Sequence, residues 1–174
     1  RSGAGMATDI GYAVPNGSIP FWKKRLEMNG IKITGIGSRF GEEYLSFEDP
    51  DGLPITFVMP AMPDQRTPWT TADVSQDVAI RGFHSITLTL NNTYETARVL
   101  KDIFEYAFMG QEGSRHRYTT NAVDNAATVD LIDAPSEAPG VNAGGTVHHV
   151  AFRVTDEETL MAFRERIVKK GFHI

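Results

Sequence analysis

One pattern recurs along this chain and limits what it can fold into: a short strand-like stretch, a polar turn, and a segment with apolar residues at helical spacing. The first copy joins a strand candidate at 9–14 to a helix candidate at 18–29, and the last copy joins 149–154 to 157–170. A repeat of this kind predicts that every copy forms the same supersecondary unit.

A middle copy has a strand candidate at 83–90 and a helix candidate at 93–106. Three further strand candidates follow each of the first two helix candidates. They are 31–36, 44–47 and 55–58 in the first copy, and 108–111, 115–119 and 128–132 in the second. The repeated unit is therefore predicted to be one strand, one helix and three strands, written βαβββ.

The chain divides where these units begin and end. We predict a βαβββ unit at 1–60, a proline-containing linker at 61–81, and another unit at 82–135. The remainder, 136–174, reads as a connecting loop plus the first strand and helix of an incomplete unit. Because the chain starts without a methionine and stops inside that unit, we expect it to be a central fragment of a longer protein.

Composition excludes several classes of function. The chain has 41% hydrophobic and 22% charged residues, as globular proteins do. A net charge of −5 argues against a nucleic-acid partner, and no run approaches the roughly 20 apolar residues of a membrane helix. The absence of cysteine excludes disulfides, thiolate metal sites and cysteine nucleophiles, and it favours a cytoplasmic location.

At this point the residues resemble a known family. The βαβββ repeat, the Phe-Glu-Asp-Pro-Asp-Gly turn at 47–52 and the Gly-Thr-Val-His-His-Val-Ala-Phe run at 145–152 are similar to the vicinal oxygen chelate superfamily. That superfamily includes glyoxalase I, bleomycin-resistance proteins and extradiol dioxygenases. Within it, the stretches at 81–85 and 112–118 and the linker at 68–71 resemble the hydroquinone-type ring-cleaving dioxygenases.

The resemblance implies an α+β fold in which mixed sheets curl into a cup. Family members have four βαβββ units, and this chain corresponds to the second, the third and the opening of the fourth. The implied activity is metal-dependent, extradiol-type ring cleavage of hydroquinone or catechol-like aromatics, in quinone detoxification or aromatic degradation. The implied cofactor is Fe(II), with Mn(II), Zn(II) or Ni(II) as alternatives. The implied partners are a small aromatic substrate and dioxygen, and a homo-oligomer is compatible with the family.

The same resemblance implies roles for two adjacent histidines. His149 matches the metal-binding histidine of the family, and His148 matches a neighbouring group that supplies a hydrogen bond or a proton. A non-haem Fe(II) oxygenase site uses two histidines and one carboxylate. The other histidine and a glutamate are therefore expected outside this chain, which alone should be inactive. From the residues by themselves, two structural histidines on a sheet are the favoured interpretation, and only the family pattern favours a ligand at His149.

The corresponding positions of the two complete units carry different residues. They are Asp9 and Thr56 in one unit and Ser85 and Asp130 in the other. This is not a set of two histidines and one carboxylate. One interpretation is a metal-free cup with a polar interior; the other is an oxygen-rich site for a hard cation such as Mg²⁺ or Ca²⁺.

The other histidines are less informative. We interpret His84, beside Ser85, as structural or hydrogen-bonding and not as a ligand. The run 115–117 surrounds His116 with two arginines and is predicted to form a solvated strand face, with an access route for an anionic phenolate as the alternative. His173 is given no role.

Two rival functions use the same fold. One is a glyoxalase-type lyase or isomerase, which would use Zn²⁺ or Ni²⁺ and consume no oxygen. The other is a metal-free module that binds an aromatic drug, as resistance proteins of this fold do. Oxygen uptake separates the first rival from a dioxygenase, and metal analysis separates the second.

Overall fold

The computed structural model describes residues 2–172. His173, for which no role is predicted, lies outside the described residues. Most of the predicted strands and helices are present within two residues of their expected ends. In chain order the elements are β1 Met6–Ala13, α1 Ile19–Met28, β2 Ile33–Arg39, β3 Glu42–Glu48, β4 Pro54–Met59, β5 Gly82–Leu90, α2 Tyr94–Arg98, a π-helical turn Val99–Ile103, β6 Ala107–Glu112, β7 Arg115–Thr119, β8 Thr128–Asp133 and α3 Glu157–Lys169.

The strands form one eight-stranded mixed sheet in the order β2-β3-β4-β1-β5-β8-β7-β6. In each complete unit the first strand pairs in parallel with the last, β1 with β4 and β5 with β8. The two units join where β1 and β5 pair antiparallel. The predicted α+β fold of βαβββ units in a curled mixed sheet is therefore confirmed.

The curl of the sheet is visible in one contact. Strands β3 and β7 are five positions apart in the sheet order, which would separate them by about 24 Å if the sheet were flat. Yet Glu42 on β3 reaches Arg117 on β7, with 2.6 Å between Oε2 and Nη1. The sheet must therefore bend until its two halves face each other across a cup.

Each unit packs its helix against the outer face of the sheet. In the first unit the indole N–H of Trp22 on α1 donates to the Val78 carbonyl at 2.8 Å, which fixes the linker over the helix. The buried core of the first unit comprises Val14, Ile19, Trp22, Leu26, Leu45, Phe47 and Phe57. The buried core of the second comprises Leu100, Tyr106, Tyr118, Val129 and Leu131.

The second helix departs from its predicted form. The candidate at 93–106 becomes the short α2 and a π-helical turn, in which the Phe104 N–H donates to the Val99 carbonyl at 3.1 Å. A π turn widens the helix by one residue. This widening accompanies the burial of both Leu100 and Ile103 against the sheet.

The last segment contains α3, as predicted, but residues 149–154 form no strand. Strand β4 pairs with β1 only at residues 10–13, and the open stretch of β1 before them takes a single bridge, from Ala7 to Val147. Beyond that bridge, 149–154 pair with no strand among the described residues. Helix α3 has no buried residue and rests on the molecule through the Phe163 ring, 5.6 Å from that of Phe104. Among residues 2–172, no helix has the length and apolar content of a membrane span.

The packing predicts that two leucines contribute very differently to the free energy of unfolding. Leu131 is fully buried, whereas Leu160 on α3 is 52% exposed. Leu131→Ala should lower the free energy of unfolding by about 2–5 kcal/mol, because it opens a cavity in the second core. Leu160→Ala should change it by about 0.5 kcal/mol or less. Urea denaturation of the two variants checks this, and equal losses would contradict the described packing.

Candidate functional site

The four residues at equivalent positions of the two repeated units come together in the structure. Asp9, Thr56, Ser85 and Asp130 all line one small cavity inside the cup, as predicted from their places in the two units. The space left between the side chains is about 10 Å³, room for one water molecule at most. The cup is therefore filled by the side chains of its own walls.

Two arginines occupy this interior, and the prediction of a solvated face for 115–117 is wrong for both. Arg117 donates from Nε and Nη2 to the two oxygens of Asp130, at 2.9 and 3.0 Å. Arg115 donates from Nη1 to Asp130 at 3.0 Å and to the Thr87 hydroxyl at 2.9 Å. Alternation along β7 places both arginines on one face, with His116 on the other. The buried carboxylate of Asp130 is what makes the inner face favourable for them.

A second carboxylate, Glu42, continues the network and was not anticipated from the sequence. It accepts from Arg117 at 2.6 Å and lies 3.3 Å from Nε2 of His84. The Phe40 ring stacks under the guanidinium of Arg117 at 4.3 Å. Burial would raise the pKa of Glu42, but its contacts with His84 and Arg117 outweigh burial, so the pKa lies below its usual value. Nδ1 of His84 is buried with no hydrogen-bond partner among the described residues.

Asp9 has a different environment from the other two carboxylates. The Thr56 hydroxyl lies 2.9 and 3.1 Å from its two oxygens, and Nη1 of Arg39 is 3.9 Å from Oδ2. Burial raises the pKa of Asp9 above its usual value. The hydrogen bond from Thr56 and the charges of Arg115 and Arg39 oppose this shift without cancelling it.

These contacts decide between the two interpretations of the cup. A hard cation would need the carboxylate oxygens that Arg115 and Arg117 already occupy on Asp130. A guanidinium held by two hydrogen bonds is itself the counter-ion of this buried carboxylate. The interior is therefore polar and charge-paired by its own residues, and the hard-cation interpretation is not supported.

His148 and His149 lie far along the chain from this network, on the segment between Val147 and α3. Both are exposed. Their Nδ1 atoms are 3.2 Å apart, and their rings are nearly perpendicular, with 5.4 Å between centroids. Among residues 2–172, no three His, Asp or Glu side chains are grouped so as to hold a metal ion. The described residues therefore offer exposed imidazoles suited to Fe(II) but not a complete ligand set.

Comparison with known proteins connects this geometry to a class of enzymes. No protein-family model matches the chain. It is 37% identical over 172 residues to the Bacillus subtilis protein named "Putative ring-cleaving dioxygenase MhqO", covering 99% of this chain and 54% of that protein. It is 31% identical to the chlorohydroquinone/hydroquinone 1,2-dioxygenase of Sphingobium indicum, with the same two shares.

A solved structure agrees with these relatives. The crystal structure of a "putative dioxygenase" from Bacillus subtilis matches with a TM-score of 0.89 at 36% identity, over 98% of this chain and 54% of that one. The chain thus spans about half the length of the relatives that it matches.

The buried network predicts opposite behaviour for two aspartates. Asp130→Asn removes the carboxylate partner of Arg115 and leaves Arg117 with Glu42 alone, and it should lower the free energy of unfolding by about 3–5 kcal/mol. Asp9→Asn keeps the acceptor for Thr56 and removes a carboxylate that burial disfavours, so at neutral pH it should cost little or stabilise. Urea denaturation of both variants measures the difference, and equal losses would refute the assigned roles.

The same comparison has a defined dependence on pH. A carboxyl group whose pKa is raised on folding contributes stability that is fully present below its unfolded pKa, about 4, and is lost as the pH rises through the folded pKa. Because Asp9 behaves this way, Asp9→Asn should gain stability relative to the parent as the pH rises above about 4. A gain that instead grew toward acid pH would contradict the raised pKa.

Proposed function

We propose that this chain belongs to the vicinal oxygen chelate superfamily and that its full-length protein cleaves hydroquinone-like aromatic rings with dioxygen, since it is similar to ring-cleaving dioxygenases over almost its whole length. The observation that carries the proposal is identity of 37% and 31%, across 99% of this chain, to two proteins named for this chemistry. The given chain carries no cysteine and needs no disulfide, which is compatible with a cytoplasmic location.

His149 is the residue of this chain that holds the metal, which we propose to be Fe(II). An exposed imidazole is a suitable ligand for Fe(II), and the family pattern assigns this position to it. When bound, Fe(II) allows a singlet aromatic substrate to react with triplet dioxygen. The remaining histidine and carboxylate ligands come from parts of the protein outside the residues described.

His148 controls which nitrogen of His149 is available. A hydrogen bond between the two Nδ1 atoms, 3.2 Å apart, requires a proton on one of them. When His149 is the donor, its Nε2 carries the lone pair and is free to bind a metal. His148 is then the acceptor, with its own proton on Nε2, from which it can donate to a phenolic oxygen of the substrate.

The cup formed by the two complete units has a supporting role in this proposal. Its carboxylates are paired with Arg115 and Arg117, and its cavity of about 10 Å³ cannot admit an aromatic ring. Ring cleavage therefore takes place at the histidine segment and not inside this cup. The charge network holds together the platform from which that segment extends.

His149→Ala in the full-length protein should abolish both bound iron and oxygen uptake with hydroquinones. His148→Gln should retain iron, because its side-chain oxygen can still accept from Nδ1 of His149, and lose turnover by about 10²–10⁴-fold, because it removes an acid–base group. His116→Ala is the control, since His116 lies on the outer face of β7 beside Phe108.

Iron content by elemental analysis and an oxygen electrode give the two readouts. Unchanged iron and turnover in His149→Ala would refute the ligand assignment. A hydroquinone-dependent reaction without oxygen consumption would refute the dioxygenase and favour the lyase or isomerase class.

A further inference from the structure

The loop that precedes the two histidines is attached to the start of the first unit. The Ala4 N–H donates to the Ala138 carbonyl at 2.9 Å, and the Gly140 N–H donates back to the Ala4 carbonyl at 2.9 Å. Ala4 and Pro139 form an isolated parallel bridge. Residues 138–140 therefore continue the sheet next to the N-terminal end of β1.

The loop makes a second attachment just before the histidines. Val147 forms an isolated antiparallel bridge with Ala7 on β1. Gly145 has a φ of 72° and packs directly on the backbone of Asp51, in the turn between β3 and β4. A Cβ at position 145 would overlap the Asp51 carbonyl. We call residues 138–147 the strap, because it crosses the first unit and is held at both ends.

The strap fits because a glycine faces a methionine at its first attachment. A Cβ on Gly140 would overlap the Sδ and Cγ atoms of Met6, the first residue of β1. The φ of Gly140 lies outside the left-handed region, so an alanine there is compatible with the backbone. The main obstacle to a side chain at 140 is therefore the space that Met6 fills, and the Gly3 backbone nitrogen, 3.2 Å from the added Cβ, is a lesser second contact.

The segment that carries the two histidines is attached at both ends, by the strap on one side and by an aromatic contact on the other. His149 follows Val147 by two residues, so its Cα lies within about 7 Å of the Val147 Cα. On the other side, the Phe152 ring stacks on that of Phe104 at 4.9 Å. Residues 148–154 themselves belong to no strand. The position of the imidazoles is therefore set by the attachments at either end of their segment.

From these contacts we infer that the strap is a positioning device for the metal ligand His149. Its bridge from Val147 to Ala7 fixes the position of the chain just before the two histidines. The imidazole of His149 is thereby placed close to the metal ligands that other parts of the protein supply. Gly140 and Gly145 act through this path and touch neither metal nor substrate. The inference rests on the proposed function, and its test separates failure of the two.

The experiment, in the full-length protein, introduces a steric clash between residue 140 and Met6 and then removes it with a second substitution. Gly140→Ala should detach the strap, and Met6→Ala combined with Gly140→Ala should restore it by removing the side chain in the way. Gly144→Ala is the matched control, because a Cβ there meets no atom within 4 Å. Amide hydrogen exchange of Ala4, whose N–H bonds to Ala138, reports attachment of the strap. Fe(II) affinity, measured by competition with a chelator, reports the position of His149.

The expected result is faster exchange at Ala4 and an Fe(II) affinity lower by about 10–100-fold in Gly140→Ala, as for other changes that misplace a metal ligand. Both should return toward the parent values in the double variant, and neither should change in Gly144→Ala. A merely structural contact would alter exchange and leave Fe(II) affinity unchanged.

Three outcomes overturn the inference in distinguishable ways. If exchange at Ala4 is unchanged both in Gly140→Ala and in Gly3→Ala, whose Cβ would overlap the backbone carbonyl of Ala138, the strap is not held as described. If exchange rises while Fe(II) affinity stays constant, and His149→Ala still loses iron, the positioning role fails and the proposed function stands. If His149→Ala itself retains iron, the proposed function fails and the positioning inference fails with it.

Discussion

The buried carboxylate of Asp130 is the interaction on which the rest of this structure depends. It accepts both hydrogen bonds of the Arg117 fork and a further one from Arg115. Arg117 then extends to Glu42 at 2.6 Å, on a strand of the other unit. An arginine inside a sheet is costly unless its charge is matched and its donors are satisfied. The curl that brings the two units face to face supplies that match, so the charge network and the closure of the cup require each other.

The closed cup and the histidine segment differ in what their side chains are free to bind. In the two units, the positions that would present metal ligands carry other residues: Asp130 accepts from Arg115 and Arg117, Asp9 accepts from Thr56, and Ser85 lines the same cavity. The segment after the second unit carries the adjacent His148 and His149, both exposed and outside any strand. The filled cup leaves no room for an aromatic ring, whereas the imidazoles of His148 and His149 are exposed to solvent.

The sequence predicted those features that follow from local pattern. The βαβββ repeat located both units, and equivalence between copies correctly brought Asp9 and Asp130 to one interior. It could not predict Glu42, because a residue at the start of β3 meets β7 only after the whole sheet has bent. Alternation of side chains along a strand puts Arg115 and Arg117 on the same face of β7. It does not tell whether that face is turned to solvent or to the interior of the cup. The strand expected at 149–154 failed because pairing with the open start of β1 stops at the single bridge between Ala7 and Val147, and a local pattern does not show where a partner strand is available.

The central claim is that metal binds at His149 and not in the cup. It is tested most directly by a crystal structure of the full-length protein grown with Fe(II), using anomalous scattering at the iron absorption edge to locate the metal. The account predicts one anomalous peak within about 2.0–2.2 Å of a His149 ring nitrogen, and none between Asp9 and Asp130. A peak among the cup carboxylates, with Arg115 and Arg117 displaced from Asp130, would contradict it.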